Sequence, residues 1–316
     1  MRYGNYRILC TLDHDAMLPL FKGSAFRGGF GHALKRTVCA VGRAGCEGCL
    51  LGETCVYVRV FEPNGWGVEE RVIKDQGGLR RNALPHPFVI VPPLHEERWV
   101  SKGASFDFGL LLFGEANDLL AYFIYAFEQM GRAGIGERTN GKRGGFSLDR
   151  VMSGTTTIFS RDAGKLSKPE TQTLAVEPAS ADGKVRRMKV TLESPLRLKF
   201  ENRLNDGLPF HVLTRAMLRR VSTLSAAFGQ GEPDLDYKGM VKRAEHVMIV
   251  QNRLAWLDVK RYSSRQDQAM LMGGITGSVT YEGDLDEFMP LVDFCTQVHL
   301  GKQTTFGLGK IRVETV

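Results

Sequence analysis

Long hydrophobic runs are missing from this chain: none of its 316 residues lies in a stretch approaching the roughly 20 uninterrupted apolar residues of a membrane span. The opening MRYGNYRILCTLDHD also lacks the charged head and apolar run of a signal peptide, so the expected location is the cytoplasm. Cysteine is sparse, with six in the whole chain, which excludes a disulfide scaffold at this length. Serine-histidine-aspartate, metal-histidine and paired-carboxylate signatures do not stand out. The stretch Gly136 to Lys142 (GERTNGK) nearly matches a nucleotide-binding P-loop. Arg143 stands where Ser or Thr would hold magnesium, however, and the stretch follows a helical pattern instead of a strand, which excludes a nucleotide triphosphatase. Negative charge is in deficit: 42 Lys and Arg face 35 Asp and Glu, a net +7, so a polyanion is the expected partner, nucleic acid ahead of an anionic membrane. With 43% hydrophobic residues the chain can bury a sizeable core, more naturally two domains than one.

What is present is one plan used twice. Near the end, the amphipathic run Asp286 to Val298 leads into HLGKQTTFGLGK and then the strand-like IRVETV. Earlier, Asn117 to Met130 leads into GRAGIGERTNGKRGG and then FSLDRVMSG, with Gly134-Ile135-Gly136 standing where His299-Leu300-Gly301 stands later. The beginnings correspond too: YRILCTL precedes LPLFKGSAFRGGFGHALKRTV, and RMKVTLESPLRLKF precedes LPFHVLTRAMLRRVSTL. Two apolar runs lie between these ends in each half, PFVIVPP and SFDFGLLLFG in the first, HVMIVQNRLAWLDV and GGITGSVTYEG in the second. Each half therefore reads β-α-β-β-α-β. The expected fold is α+β, two tandem ferredoxin-like domains of the RNA-recognition type, at residues 1–165 and 185–316. The polar, proline-bearing stretch 166–184 reads as the linker.

Several residues could carry chemistry. In the loop Gly301 to Gly309, Gly301, Gly307 and Gly309 permit close backbone approach, and Lys302 and Lys310 add charge, so loop amides are expected to cradle an RNA phosphate. Arg138, Lys142 and Arg143 form a basic loop, and Arg261 and Arg265 flank Tyr262 in a third basic cluster; each reads as a phosphate contact or an ordinary solvated face. Tyr262 or Phe306 could stack on a base. Of seven histidines, His32 lies in the first turns of the first long helix, with Lys22 and Arg27 near in sequence; His211 holds the equivalent place in the second half, and His299 abuts the glycine loop. Cys39, Cys46, Cys49 and Cys55, spaced C-x6-C-x2-C-x5-C, read either as a closed structural zinc site or as a reduced, metal-free cluster, in both cases outside catalysis. Cys10 and Cys295 read as core residues.

Taken together, RYSSRQDQAMLMGGITGSVTYEGDLDEFMPLV, VHLGKQTTFGLGKIRV and LPLFKGSAFRGGFGHALKRTVC with its trailing CEGC resemble the CRISPR-associated repeat-RNA-processing endoribonucleases of the RAMP superfamily, over the whole chain. That resemblance implies two ferredoxin-like domains and cleavage without a metal cofactor. The ribose 2′-hydroxyl would attack the adjacent phosphate and leave a 2′,3′-cyclic phosphate and a 5′-hydroxyl. It also implies retention of the product as guide RNA for an interference complex. His32 lies in the region of the family's helical general acid or base, and Lys22, Arg27 or Lys302 would offset phosphate charge. The family's loop commonly begins Gly-hydrophobic-Gly; here it begins His299-Leu300-Gly301, which makes His299 a competitor to His32. A non-catalytic subunit that only binds guide RNA shares the same features, and pairing of exposed sheet edges would give a homodimer.

Overall fold

A computed structural model describes residues 1–42, 45–63, 84–93, 97–139, 141–177, 185–198, 208–258, 260–263 and 268–315. The chain divides into two compact units, residues 1–173 with 226–229, and residues 174–225 with 230–316. The division falls within the stretch that the sequence marks as a linker, and part of that stretch is built into unit 1: Lys165–Leu166 and Gln172–Thr173 are short strands, the second paired with the first strand of the chain.

Unit 1 contains β1 (Arg2–Leu12), α1 (Gly23–Val38), α2 (Val56–Phe61), β2 (Phe88–Val91), β3 (Ser105–Phe113), α3 (Leu120–Ala133), β4 (Phe146–Ser153) and β5 (Thr156–Ser160). Its main sheet is antiparallel in the order β5-β4-β1-β3-β2. Along β1, Tyr6, Ile8, Cys10 and Leu12 are buried while Asn5 and Arg7 are exposed, the period-two pattern of a strand with one covered face. The cover is α1 and α3. Phe26 and Phe30 of α1 pack on Phe108, Phe123 and Phe127, with Phe30 only 4.7 Å from Phe127 between ring centres. Glycine permits this closeness: a Cβ at Gly29 would meet Met130 at 2.9 Å, and one at Gly31 would meet the Phe61 ring at 3.0 Å.

Unit 2 contains β6 (Arg187–Leu196), α4 (Phe210–Phe228), α5 (Tyr237–Ala244), β7 (Met248–Leu257), β8 (Lys260–Ser263), β9 (Gln268–Leu271), β10 (Gly274–Glu282), α6 (Met289–Val298) and β11 (Ile311–Thr315). Its main sheet is antiparallel in the order β7-β10-β6-β11. Met188, Val190 and Leu192 of β6 point into the core with Leu213, Met217, Val221 and Leu224 of α4 and Leu291, Phe294, Cys295 and Val298 of α6. The second strand of each half lies outside the third, which pairs with the first, and the fourth flanks the first on its other side. Two departures from the sequence reading are local. Asp286–Phe288 and Gly114–Leu119 are 3-10 turns leading into α6 and α3, and β8 and β9 form an additional hairpin between β7 and β10.

Candidate functional site

In unit 1 the candidate side chains sit on or beside α1. Lys22 is the residue at its N-terminal boundary, and the glycines that let α1 pack closely occupy the faces toward α2 and α3. Gly28 is different: a Cβ built there meets nothing within 4 Å. His32 lies one turn on, exposed, and Arg36 a further turn on, also exposed, so Gly28, His32 and Arg36 form an i, i+4, i+8 stripe on the solvent side of the helix. Arg36 was missed as a site residue, although its spacing from His32 was readable. Arg27 is half-buried with its guanidinium carbon 4.6 Å from the centre of the Phe61 ring, a cation–π arrangement. It also lies near His86, whose imidazole burial, reinforced by the Arg27 charge, pushes down to about 4.

Lys22 requires a correction. The sequence places it as a charge facing phosphate, whereas the structure buries it completely, with Nζ 3.5 Å from the Leu20 carbonyl oxygen. Its aliphatic stem sits in the core edge, so in this conformation the ammonium does not meet a polyanion. Ile135–Thr139 and Lys142–Gly144 pair as a hairpin, Arg138, Lys142 and Arg143 are exposed on it, and the 135–139 strand lies against α1. Unit 1 thus brings the His32 helix and a basic hairpin into contact.

The four cysteines of the C-x6-C-x2-C-x5-C run are half-buried and reduced. Cys39 caps the C-terminus of α1 and Cys55 the N-terminus of α2. Among the described residues no three His, Cys, Asp or Glu side chains are gathered at metal-binding distance.

In unit 2 the loop between α6 and β11 is held by its own backbone. Leu300 N–H donates to the Gly309 carbonyl at 2.8 Å, Gly309 N–H to that of Pro195 at 3.0 Å, and Lys302 N–H to that of Arg197 at 2.9 Å. Phe306 and Gly307 amides bond back to Gln303 and Thr304, and the Lys310 amide donates to Ser194 Oγ. These six amides are committed to acceptors within the protein, which corrects for them the expectation that they cradle phosphate. The glycines serve the same architecture: a Cβ at Gly309 would lie 1.8 Å from the Leu300 carbonyl oxygen, and one at Gly301 2.6 Å from that of Arg197. What the loop presents to solvent is Gly301 and Lys302; Phe306 and Gly307 are buried, so Phe306 is no platform for a base. Lys310 pairs with Glu193 at 3.0 Å, and Arg312 with the same carboxylate at 3.3 Å.

His299 ends α6 with φ 59° and ψ 146°, a conformation that disfavours a side chain; at the matching place in unit 1, Gly134 ends α3 with φ 75° and ψ 156°. Gly136 and Gly301, two residues on in each case, both have φ +80°. The internal repeat therefore extends to backbone dihedrals. The His299 ring is 2% exposed, Nδ1 sits 3.1 Å from the Leu308 carbonyl oxygen, and burial, aided by the Arg220 and Lys310 charges, pushes its pKa down to about 3. Arg220, buried on α4, donates to the Val298 carbonyl at 2.7 Å. His299 is thus an interior, neutral imidazole in this conformation, contrary to its reading as a competitor of His32. His211 is half-buried in the first turn of α4. Arg261 lies on β8, and Arg265 falls outside the described residues.

Comparison with known proteins agrees with this arrangement. Residues 1–171 match the family model of the AF_1859 N-terminal domain, and residues 190–311 match that of the CRISPR-associated endoribonuclease Cas6. An uncharacterized protein of Archaeoglobus fulgidus is 24% identical over 304 residues, covering 94% of this chain and 93% of its own. A solved product complex of Cas6 superposes with a TM-score of 0.57 at 14% identity, covering 99% of this chain and all of that one. Thermus thermophilus Cas6 gives 0.56 at 12% identity, with 99% of this chain and 98% of that one covered. At these identities the structural matches establish the fold, and the family models carry the rest. The class so defined is that of endoribonucleases processing CRISPR repeat RNA. The chain belongs to the family of the AF_1859 N-terminal domain, whose model spans residues 1–171, and its residues 190–311 match the CRISPR-associated endoribonuclease Cas6. No helix among the described residues is long and apolar enough to cross a membrane.

Proposed function

We propose that this endoribonuclease cuts CRISPR repeat RNA by attack of a ribose 2′-hydroxyl on the adjacent phosphate, with His32 moving the proton and no metal in the reaction. The observation that carries the proposal is the stripe Gly28, His32, Arg36: an exposed imidazole flanked on one side by open surface and on the other by a guanidinium. In the step itself, O2′ bonds to phosphorus as its proton leaves to a base, the P–O5′ bond breaks, and the departing oxygen takes up a proton. The ends are a 2′,3′-cyclic phosphate and a 5′-hydroxyl. His32, exposed on the helix, can give or take one of these protons. Arg36 offsets the charge that builds on the phosphate, and the adjoining basic hairpin with Arg138, Lys142 and Arg143 supplies further phosphate contacts.

The strand order shared by both units supports reading each as a ferredoxin-like domain. In unit 2 the fixed loop offers Gly301 and Lys302 to the RNA backbone, and the cut RNA stays bound as a guide for an interference complex.

The deciding assay incubates purified protein with 5′-labelled repeat RNA in excess EDTA, using wild type, His32→Ala and a substrate carrying 2′-deoxy at the cut. Cleavage is expected to survive the chelator, to vanish with the deoxy substrate, and to fall roughly 10²- to 10⁴-fold in the variant, on the order of 3 to 5 kcal/mol of barrier. Cleavage of the deoxy substrate would refute the 2′-hydroxyl mechanism, and full activity in His32→Ala would refute the assignment of that residue.

A further inference from the structure

The segment between α1 and α2 is a puzzle in stability. It has no core of its own: Val41 is 41% exposed, Leu51 46%, and Leu50 fully so. Its glycines at 42, 45 and 48 would meet nothing within 4 Å if given a Cβ. A chain of tight turns is what shapes it, with Cys49 N–H bonding to the Cys46 carbonyl at 3.2 Å, Gly52 to Cys49 at 2.9 Å, and Cys55 to Gly52 at 3.3 Å. Gly48, between the two central cysteines, has φ +69°, which closes Cys46-Glu47-Gly48-Cys49 into a turn. With so little apolar burial the segment is shaped by its turns, and a metal staple would add order to them as it does in small scaffolds.

The four thiols occupy the places where a staple would act. Cys39 is the C-terminal boundary residue of α1, where helix carbonyls leave negative potential favouring a cation. Cys55 is the N-terminal boundary residue of α2. Cys46 lies within electrostatic reach of both, as it does of Lys35. The thiols thus share a neighbourhood without standing at ligating distance from one another, and the turns between them are short and unpacked on their outer side.

We propose that Cys39, Cys46, Cys49 and Cys55 bind one zinc ion that draws the segment together and fixes α2 against α1. Binding converts four thiols to thiolates and releases their four protons, with no oxidant or reductant involved. The closed site carries two net negative charges, and the Lys35 ammonium offsets part of them. No position is left open for substrate, so the ion contributes shape and not chemistry. Its effect reaches the site through α2: Phe61 lies under Arg27 and against Gly31, and Tyr57 faces Lys35 at 5.4 Å, so α2 braces the helix that presents His32.

The test uses untagged full-length protein purified without chelator, with metal content measured by plasma mass spectrometry. About one zinc per chain is expected. Cobalt loaded in its place is expected to show thiolate-to-metal charge-transfer bands and the visible bands of a tetrahedral ion. A Cys46→Ser, Cys49→Ser double variant is expected to lose both signals. Because that variant could fail to fold, titration of wild-type thiols under native conditions supplies a second measure: Cys39, Cys46, Cys49 and Cys55 react readily only after a chelator removes zinc, while Cys10 and Cys295 stay buried. Wild-type protein with less than about a tenth of an ion per chain and no cobalt–thiolate bands would overturn the proposal, as would a thiol count showing disulfides among these four. None of these readouts depends on RNA cleavage.

Discussion

Replacing His299 by glycine tests whether the glycine loop is locked by a buried neutral imidazole. In the folded chain its pKa is about 3, against 6.5 when unperturbed. Between those values the unfolded chain holds a proton at this site that the folded chain does not. Stability from this group is therefore fully present above the unfolded pKa and is lost as pH falls, by ~1.4 kcal/mol per pH unit. From about pH 6.5 to about pH 4.5 the loss is about 2.3 kcal/mol. At neutral pH glycine relieves a backbone strain of about 1 to 3 kcal/mol. It also removes a hydrogen bond worth about 1 kcal/mol and a buried ring worth roughly 2 kcal/mol. The neutral-pH stability therefore changes little, and the pH dependence is the informative quantity. Urea unfolding of wild type and His299→Gly across that range measures it, and the other acid-sensitive groups, His86 among them, cancel in the comparison. Two curves that run parallel within about 0.5 kcal/mol would refute the assignment of a buried neutral ring, since an exposed imidazole gives no such slope.

Gly309→Ala is expected to destabilise unit 2 by more than about 3 kcal/mol, because its Cβ would collide with the Leu300 carbonyl oxygen, which the bond from Leu300 N–H to the Gly309 carbonyl keeps close; thermal melting measures this. Gly28→Ala is expected to do the opposite, raising stability by up to about 1 kcal/mol through helix propensity, since the added methyl meets nothing. A loss of stability there would mean that the open surface is occupied in solution. Arg36→Glu is expected to weaken repeat-RNA binding and to reduce the slope of log affinity against log salt by about 1 or more, read by filter binding at several salt concentrations. An unchanged slope would remove Arg36 from the RNA-contacting face.

The strands and long helices were legible because each buries one face. Tyr6, Ile8, Cys10 and Leu12 alternate, and Leu120, Phe123, Ile124 and Phe127 recur with helical spacing. The match of Gly134-Ile135-Gly136 to His299-Leu300-Gly301 was legible as well, and it proved to be a match of dihedral angles. Other features left no mark in one sequence. Ala16–Met17 and Trp99–Val100 pair over two residues each, too short for any period to show. Lys22 looks like a surface cation until tertiary packing closes over it. The loop glycines read as a phosphate cradle, because residue type alone cannot tell a glycine that admits a ligand from one that admits the neighbouring backbone. Lys310 reads as charge available to RNA, whereas Glu193 on the neighbouring strand engages it.

The Arg220 side chain ties the end of α6 to α4. Its guanidinium reaches the Val298 carbonyl from a helix 78 positions earlier in the chain, and on that carbonyl's far side begin the turn at His299 and the whole loop. Closing so long a segment costs chain entropy, which docking of α4 and α6 on the sheet offsets. The loop's bonds to Pro195 and Arg197 span comparable distances. The shape of the loop that exposes Gly301 and Lys302 therefore depends on contacts from elements distant in the chain, and loosening any one of them loosens it.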